Sequence, residues 1–370
     1  MYLNRIIISS FFVLFCSLLT TTSWGQQATI KLGVSNATSG PTSQLGNKLN
    51  LGSTAYFSKI NSNGGINGQR VEMIIRDDSY EPYITSKNTD YFLAQDDIFA
   101  LYNFVGTPTS QAIIHKISQH KLLFLTPFTG AEFLREASLD TVFNLRASYF
   151  QEAKAQIDYL VKERNIKKIG LLLQSDQFGY FVDIGYSIAM KEYGIKPIVT
   201  TRYRRNTLDI NWALKILQEN DVEAVAFVGT YAPLAKLINL ANERGFKPIY
   251  TSVSFISSKD LFALVEQPTD IMITEVMPDP NQCNVDICKQ FKKDFAAVSE
   301  TPPDRVHFEG YLNAYLFHQV AKQCGSPLTK QCYQKTHKQY KVNLSRMTID
   351  FTQSSNQGLN ELFMNFYQAN

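Results

Sequence analysis

The chain has 370 residues, 44% apolar and 12% aromatic, which suits two domains with separate cores and is too apolar for a disordered protein. Its 36 basic and 33 acidic residues leave a formal charge of +3, with no block of five like charges. That balance excludes the one-sided basic surface that nucleic-acid binding needs.

The N-terminus carries Arg5, an apolar stretch from Ile6 to Leu19, and a polar run to Gly25. This is the pattern of a secretory signal peptide, with Ser23 and Gly25 as the small residues before the cut. Residues 1–25 are expected to be removed, leaving a mature chain that begins near Gln26. The apolar core is shorter than the roughly 20 residues of a membrane span. Bulky Leu14-Phe15 before Cys16 speaks against lipid attachment at that cysteine.

From Thr29 onward, short apolar runs alternate with helical periodicity. Ile30–Val34, Val71–Ile75, Phe99–Val105, Leu122–Leu125, Ile169–Leu173, Ile198–Tyr203, Val222–Val228 and Ile249–Val253 read as buried strands. Between the first two, Leu45, Leu49, Tyr56 and Ile60 fall at helical spacing, and Asn63-Gly64-Gly65 ends that helix. Strand, helix, strand in repetition implies a parallel sheet covered by helices on both faces.

The pattern runs from about residue 29 to 145 and again from 150 to 272, which predicts an α/β protein of two doubly wound lobes. Beyond Ile271 come a Pro/Asn-rich stretch at 277–281, helical segments over 286–298 and 308–322, and one more strand-like stretch, Arg346–Phe351. That is too little for a third domain, so the tail is expected to complete the first two through crossings near Arg146, Val276 and Gly358. Residues 26–146 plus 276–357 are assigned to lobe 1, and 147–275 plus 358–370 to lobe 2.

Cys283, Cys288, Cys324 and Cys332 are an even set in an exported chain, so disulfides are the default. Three pairings are open, and the short separations favour Cys283 with Cys288 and Cys324 with Cys332. Their intervals do not match zinc-ribbon spacing, and no metal or other cofactor is expected.

Open α/β sheets bind ligands beyond the carboxyl ends of their strands. After the third strand, Gly106-Thr107-Pro108-Thr109-Ser110 offers Thr107 as a helix N-cap and Pro108 as the first helical residue, with the Thr109 and Ser110 amides as free donors for an anion. A second loop, Thr126-Pro127-Phe128-Thr129-Gly130, follows the next strand. In lobe 2, Ser175-Asp176-Gln177-Phe178-Gly179 and Gly229-Thr230-Tyr231-Ala232-Pro233 each carry an aromatic on a polar loop, where ligand contact is favoured over core.

These residues resemble the type I periplasmic solute-binding proteins of ABC importers, the leucine/isoleucine/valine-binding protein family. Ser39-Gly40-Pro41, the stretch Ile60-Asn61-Ser62-Asn63-Gly64-Gly65-Ile66-Asn67-Gly68, Asp77-Asp78, Thr126-Pro127 and Tyr231-Ala232-Pro233 follow the family's order and spacing. The resemblance places the first-lobe carboxylate contact on Thr107, offers Phe128 and Thr129 beside it, and places the second-lobe aromatics on Phe178 and Tyr231. It implies a periplasmic, monomeric, non-enzymatic receptor that delivers a small ligand to a membrane ABC permease. A sensor accessory that reports ligand to a membrane receptor is the alternative.

Two departures stand out. The family's ammonium-binding acid is replaced by Thr251-Ser252-Val253-Ser254, so Ser252 and Ser254 line the site and the expected ligand lacks a bare ammonium group. An acid from elsewhere, such as Asp176 beside Phe178, would restore amino-acid binding, which is the runner-up reading of the ligand. The family's first-lobe disulfide is also missing, with Tyr80 and Gly106 at its places. Phosphate-loop, HExxH and GxSxG motifs do not occur, and His115 and His120 read as solvated helix positions.

Overall fold

The computed structural model describes residues 29–353 and 356–367, so the signal-peptide reading lies outside it. The first lobe is built from β1 (Thr29–Asn36), α1 (Ser43–Ser62), β2 (Arg70–Asp77), α2 (Pro82–Leu93), β3 (Ile98–Tyr102), α3 (Thr107–Gln111), α4 (Ile114–His120), β4 (Phe124–Leu125) and β5 (Val142–Phe143). Its five strands are all parallel, in the order β2-β1-β3-β4-β5. The first helix stops where Gly64 and Gly65 take φ of 93° and 75°, and the Gly65 amide returns to the Ile60 carbonyl at 2.9 Å.

The second lobe continues with α5 (Tyr149–Asp158), β6 (Ile169–Gln174), α6 (Gln177–Lys191), β7 (Val199–Tyr203), α7 (Asn211–Glu219), β8 (Ala224–Val228), α8 (Tyr231–Glu243), β9 (Ile249–Ser252), α9 (Ser258–Phe262) and β10 (Ile271–Glu275). Alternate residues of β8 enter two separate cores: Ala224, Ala226 and Val228 on one face, Val225 and Phe227 on the other. A strand buried on both faces is what a doubly wound sheet requires.

The tail returns to both lobes. Helices α10 (Asp286–Ala296), α11 (Arg305–Ala321) and α12 (Lys330–His337) pack on the first lobe, followed by the hairpin of β11 (Lys341–Asn343) and β12 (Thr348–Asp350). The last strand, β13 (Phe363–Phe366), pairs antiparallel with β10, giving the order β13-β10-β9-β8-β6-β7. The sequence reading missed β5, β10, β11, β13 and α12. It also ran the third strand on to Val105, whereas Asn103 turns to φ 53° and ends it.

The connections run side by side: Gly358 and Leu359 donate their amides to the carbonyls of Asn144 and Leu145, each at 2.8 Å. Arg135 ties them together. Its guanidinium donates to the carbonyls of Ala131, Arg146 and Ala147 and to the Gln357 side chain. Disulfides join Cys283 to Cys288 and Cys324 to Cys332, the pairing their separations favoured.

Candidate functional site

The first-lobe wall is set by backbone geometry. Gly106, at φ 109°, is the residue before α3, and a Cβ there would collide with the Tyr80 ring. Gly106 and not Thr107 is therefore the N-cap, because only glycine accepts that turn at low cost. Thr107 starts the helix, and its hydroxyl meets the Thr129 hydroxyl at 2.8 Å, while the Thr129 hydroxyl donates to the Tyr149 phenol oxygen at 3.4 Å. The Ser110 amide is not free as expected, since it donates to the Gly106 carbonyl at 3.1 Å as the first helical bond. Its hydroxyl instead is buried without a hydrogen-bond partner among the described residues. Thr109 turns its own hydroxyl back to the Val105 and Gly106 carbonyls.

The second-lobe wall meets this one through rings. Phe255, one residue beyond Ser254, lies with its centroid 5.8 Å from Tyr80, 5.7 Å from Phe128 and 4.9 Å from Phe178. Phe178 is also 5.2 Å from Tyr149. Thr107, Thr129, Phe128 and Phe178 thus come together in one buried seam. Tyr231 stands apart, half-buried at the start of α8, with Asp260 and Lys48 as its charged neighbours. Ser252 is buried and donates to the Phe227 carbonyl at 2.9 Å, inside the sheet.

Charge enters from the hinge. Arg146 is 1% exposed, stacks 4.0 Å over Phe128, and donates through Nη2 to Ser254 Oγ at 3.0 Å and Glu309 Oε2 at 3.3 Å. Its Nε is 3.0 Å from Glu309 Oε1 as an ion pair at an angle unsuited to a hydrogen bond, and its Nη1 has no partner among the described residues. Burial pushes Glu309 up to about 7, against the pull of Arg146.

The position beside Ser254 does hold a carboxylate, supplied by α5 and not by the β9 loop. Glu152 accepts from the Ser254 amide at 2.6 Å, the Ser254 hydroxyl at 2.9 Å and the Thr274 hydroxyl at 2.8 Å. Asp176, the acid named from sequence, caps α6 by accepting from the Phe178 and Gly179 amides, and its other oxygen takes Gln174 at 2.7 Å. Sequence reasoning missed Tyr80, Arg146, Glu152 and Phe255 as site residues. One signal was available for Glu152: it stands on the apolar face of α5 with Ala153, Gln156 and Ile157, where an unpaired acid is costly.

Known proteins of this shape agree with one another. A family model described as periplasmic binding protein matches residues 29–370. Leu/Ile/Val-binding protein homolog 3 of Brucella melitensis is 23% identical over 64% of this chain, and the match spans 64% of that relative's length. The crystal structure of a possible leucine/isoleucine/valine-binding protein from Rhodopirellula baltica superposes with a TM-score of 0.85 at 27% identity, covering 91% of this chain and 94% of that one. A branched-chain amino acid ABC transporter protein from Thermus thermophilus with bound valine has the same fold, with a TM-score of 0.81, 19% identity and coverage of 91% and 93%. The chain belongs to the periplasmic binding protein family, in its type I, leucine/isoleucine/valine-binding-protein-like branch.

Proposed function

We propose that this protein is the periplasmic solute receptor of an ABC importer, closing its two lobes on a small ligand and passing it to a membrane permease without covalent chemistry. The moving bodies are residues 26–146 plus 276–357 against 147–275 plus 358–370. The ligand carries a carboxylate or carbonyl end and a body without a bare ammonium group. Thr107, Ser110 and Thr129 meet the polar end, Phe128 and Phe178 flank the body, and Tyr231 covers it from the rim.

One observation carries the reading: the seam between the lobes combines the Thr107–Thr129 hydroxyl pair and the unpartnered Ser110 hydroxyl with rings from both sides. A buried polar atom without a partner costs free energy that a ligand oxygen would recover. Glu152, the carboxylate beside Ser254, already accepts from the Ser254 amide and hydroxyl and the Thr274 hydroxyl, which supports a ligand without an ammonium group.

Native mass spectrometry of the protein purified from the periplasm, followed by a thermal-shift screen of metabolites, tests the proposal. Ligand at 100 times its Kd should stabilise the fold by about 2.7 kcal/mol through mass action. A broad metabolite panel that leaves the melting temperature unmoved would overturn it.

A further inference from the structure

We infer that Arg205, bound to Tyr80 and Glu81, is a latch that favours the closed form of the two lobes over the open one, an inference that rests on the lobe closure proposed above. Arg205 follows β7 in the second lobe, where its Nε lies 3.6 Å from Asp176. From there it reaches across the mouth of the cleft: Nη1 donates to the Tyr80 carbonyl, and Nη2 donates to Glu81 Oε2 at 2.7 Å. Its neighbour Asn206 donates to Glu81 Oε1 at 2.7 Å, so both carboxylate oxygens of Glu81 are gripped by the opposite lobe. The Arg205 guanidinium also lies 5.6 Å from the Tyr80 ring centre, and Gln174 donates to the Tyr80 hydroxyl at 3.5 Å.

Tyr80 is held in position to receive these contacts. Ser79 and Tyr80 take φ of 49° and 62°, two successive left-handed residues that are not glycine. Such a turn persists only where surrounding bonds determine it. Asp78 supplies them, accepting from the Tyr80 amide, Ser35 and Thr85, each at 2.9 Å. The turn projects the Tyr80 ring over Gly106, where it packs in place of a covalent link, and onward to Phe255 of the other lobe. Tyr80 is thus a wall of the cleft, set in place by Asp78 and gripped by Arg205 from the other lobe.

The contacts of Arg205, Asn206 and Gln174 with Tyr80 and Glu81, and of Tyr80 with Phe255, join one lobe to the other, so opening the cleft breaks them. They bias the closed form whatever the ligand, and the apparent affinity of any ligand scales with the fraction of receptor in the binding-competent state. The inference therefore goes beyond the proposed ligand class and can fail or hold independently of it.

Small-angle scattering on the mature protein with no solute added tests the latch. The wild type should show a smaller radius of gyration than both Arg205→Ala and the milder Glu81→Gln, because its closed fraction is larger. Arg202→Ala, which removes an ion pair with Asp183 inside the second lobe, should scatter like the wild type. Unchanged curves for Arg205→Ala and Glu81→Gln, or a wild type as open as they are, would overturn it.

Discussion

The hinge and the mouth of the cleft are made of opposite materials. At the hinge, a fully buried arginine pairs with buried Glu309, and a second arginine binds backbone carbonyls of the parallel crossings. At the mouth, half-buried and exposed charges reach from lobe to lobe, Arg205 to Glu81 on one side and Lys48 to Asp260 on the other. Buried groups that lose a partner cannot turn to water, whereas mouth residues can. Hinge changes should therefore appear as lost fold stability, and mouth changes as shifted lobe populations.

The largest effect is expected at Arg146. Replacing it with methionine leaves Glu309 buried without its counter-charge and should cost about 3 kcal/mol or more in urea unfolding. A loss under about 1 kcal/mol would show that the hinge charge does not carry stability.

Next comes His337, which lies beneath the first crossing, stacked 4.0 Å from Phe143 and against Phe351. Burial pushes its imidazole down to about 3, so it stays neutral in the fold while the unfolded chain takes a proton below about pH 6.5. Its contribution is complete above that pH and is lost as pH falls toward 3, amounting to about 2 kcal/mol by pH 5. In His337→Phe, the drop in unfolding free energy between pH 7 and pH 5 should shrink by that amount; an unaltered drop would refute the assignment.

At the mouth, Asp260→Asn should change unfolding by less than about 1 kcal/mol, since it breaks a partly exposed pair. Its effect belongs in ligand affinity, and a large stability loss would erase the distinction between mouth and hinge. Thr107→Val, inside the seam, should weaken a carboxylate ligand by about 1 kcal/mol through one lost hydrogen bond.

The fold was legible because burial imposes a pattern. Runs such as Ile169–Leu173 and Val222–Val228 read as strands covered on both faces, and parity and short separation favoured the two disulfides found. β10 was missed because it opens the Pro/Asn-rich region, where the periodicity ends, and β13 because its residues alternate between half-buried and exposed. The site was less legible. Thr107, Phe128, Thr129 and Phe178 lie beside strand ends, where the parallel-sheet rule directs attention. Tyr80 is placed by a left-handed turn, and Arg146 and Glu152 by a chain crossing and a helix that reach the cleft from a distance. No local spacing encodes such meetings.

The proposed receptor takes a carboxylate in its cleft, where the nearest acid, Glu152, is held by Ser254 and Thr274. Isothermal titration calorimetry with 4-methylpentanoate and L-leucine, which share one apolar body and differ in the ammonium group, tests this most directly. The account predicts that 4-methylpentanoate binds about tenfold tighter or more, because a buried, unpaired ammonium is costly. Tighter binding of L-leucine would contradict it.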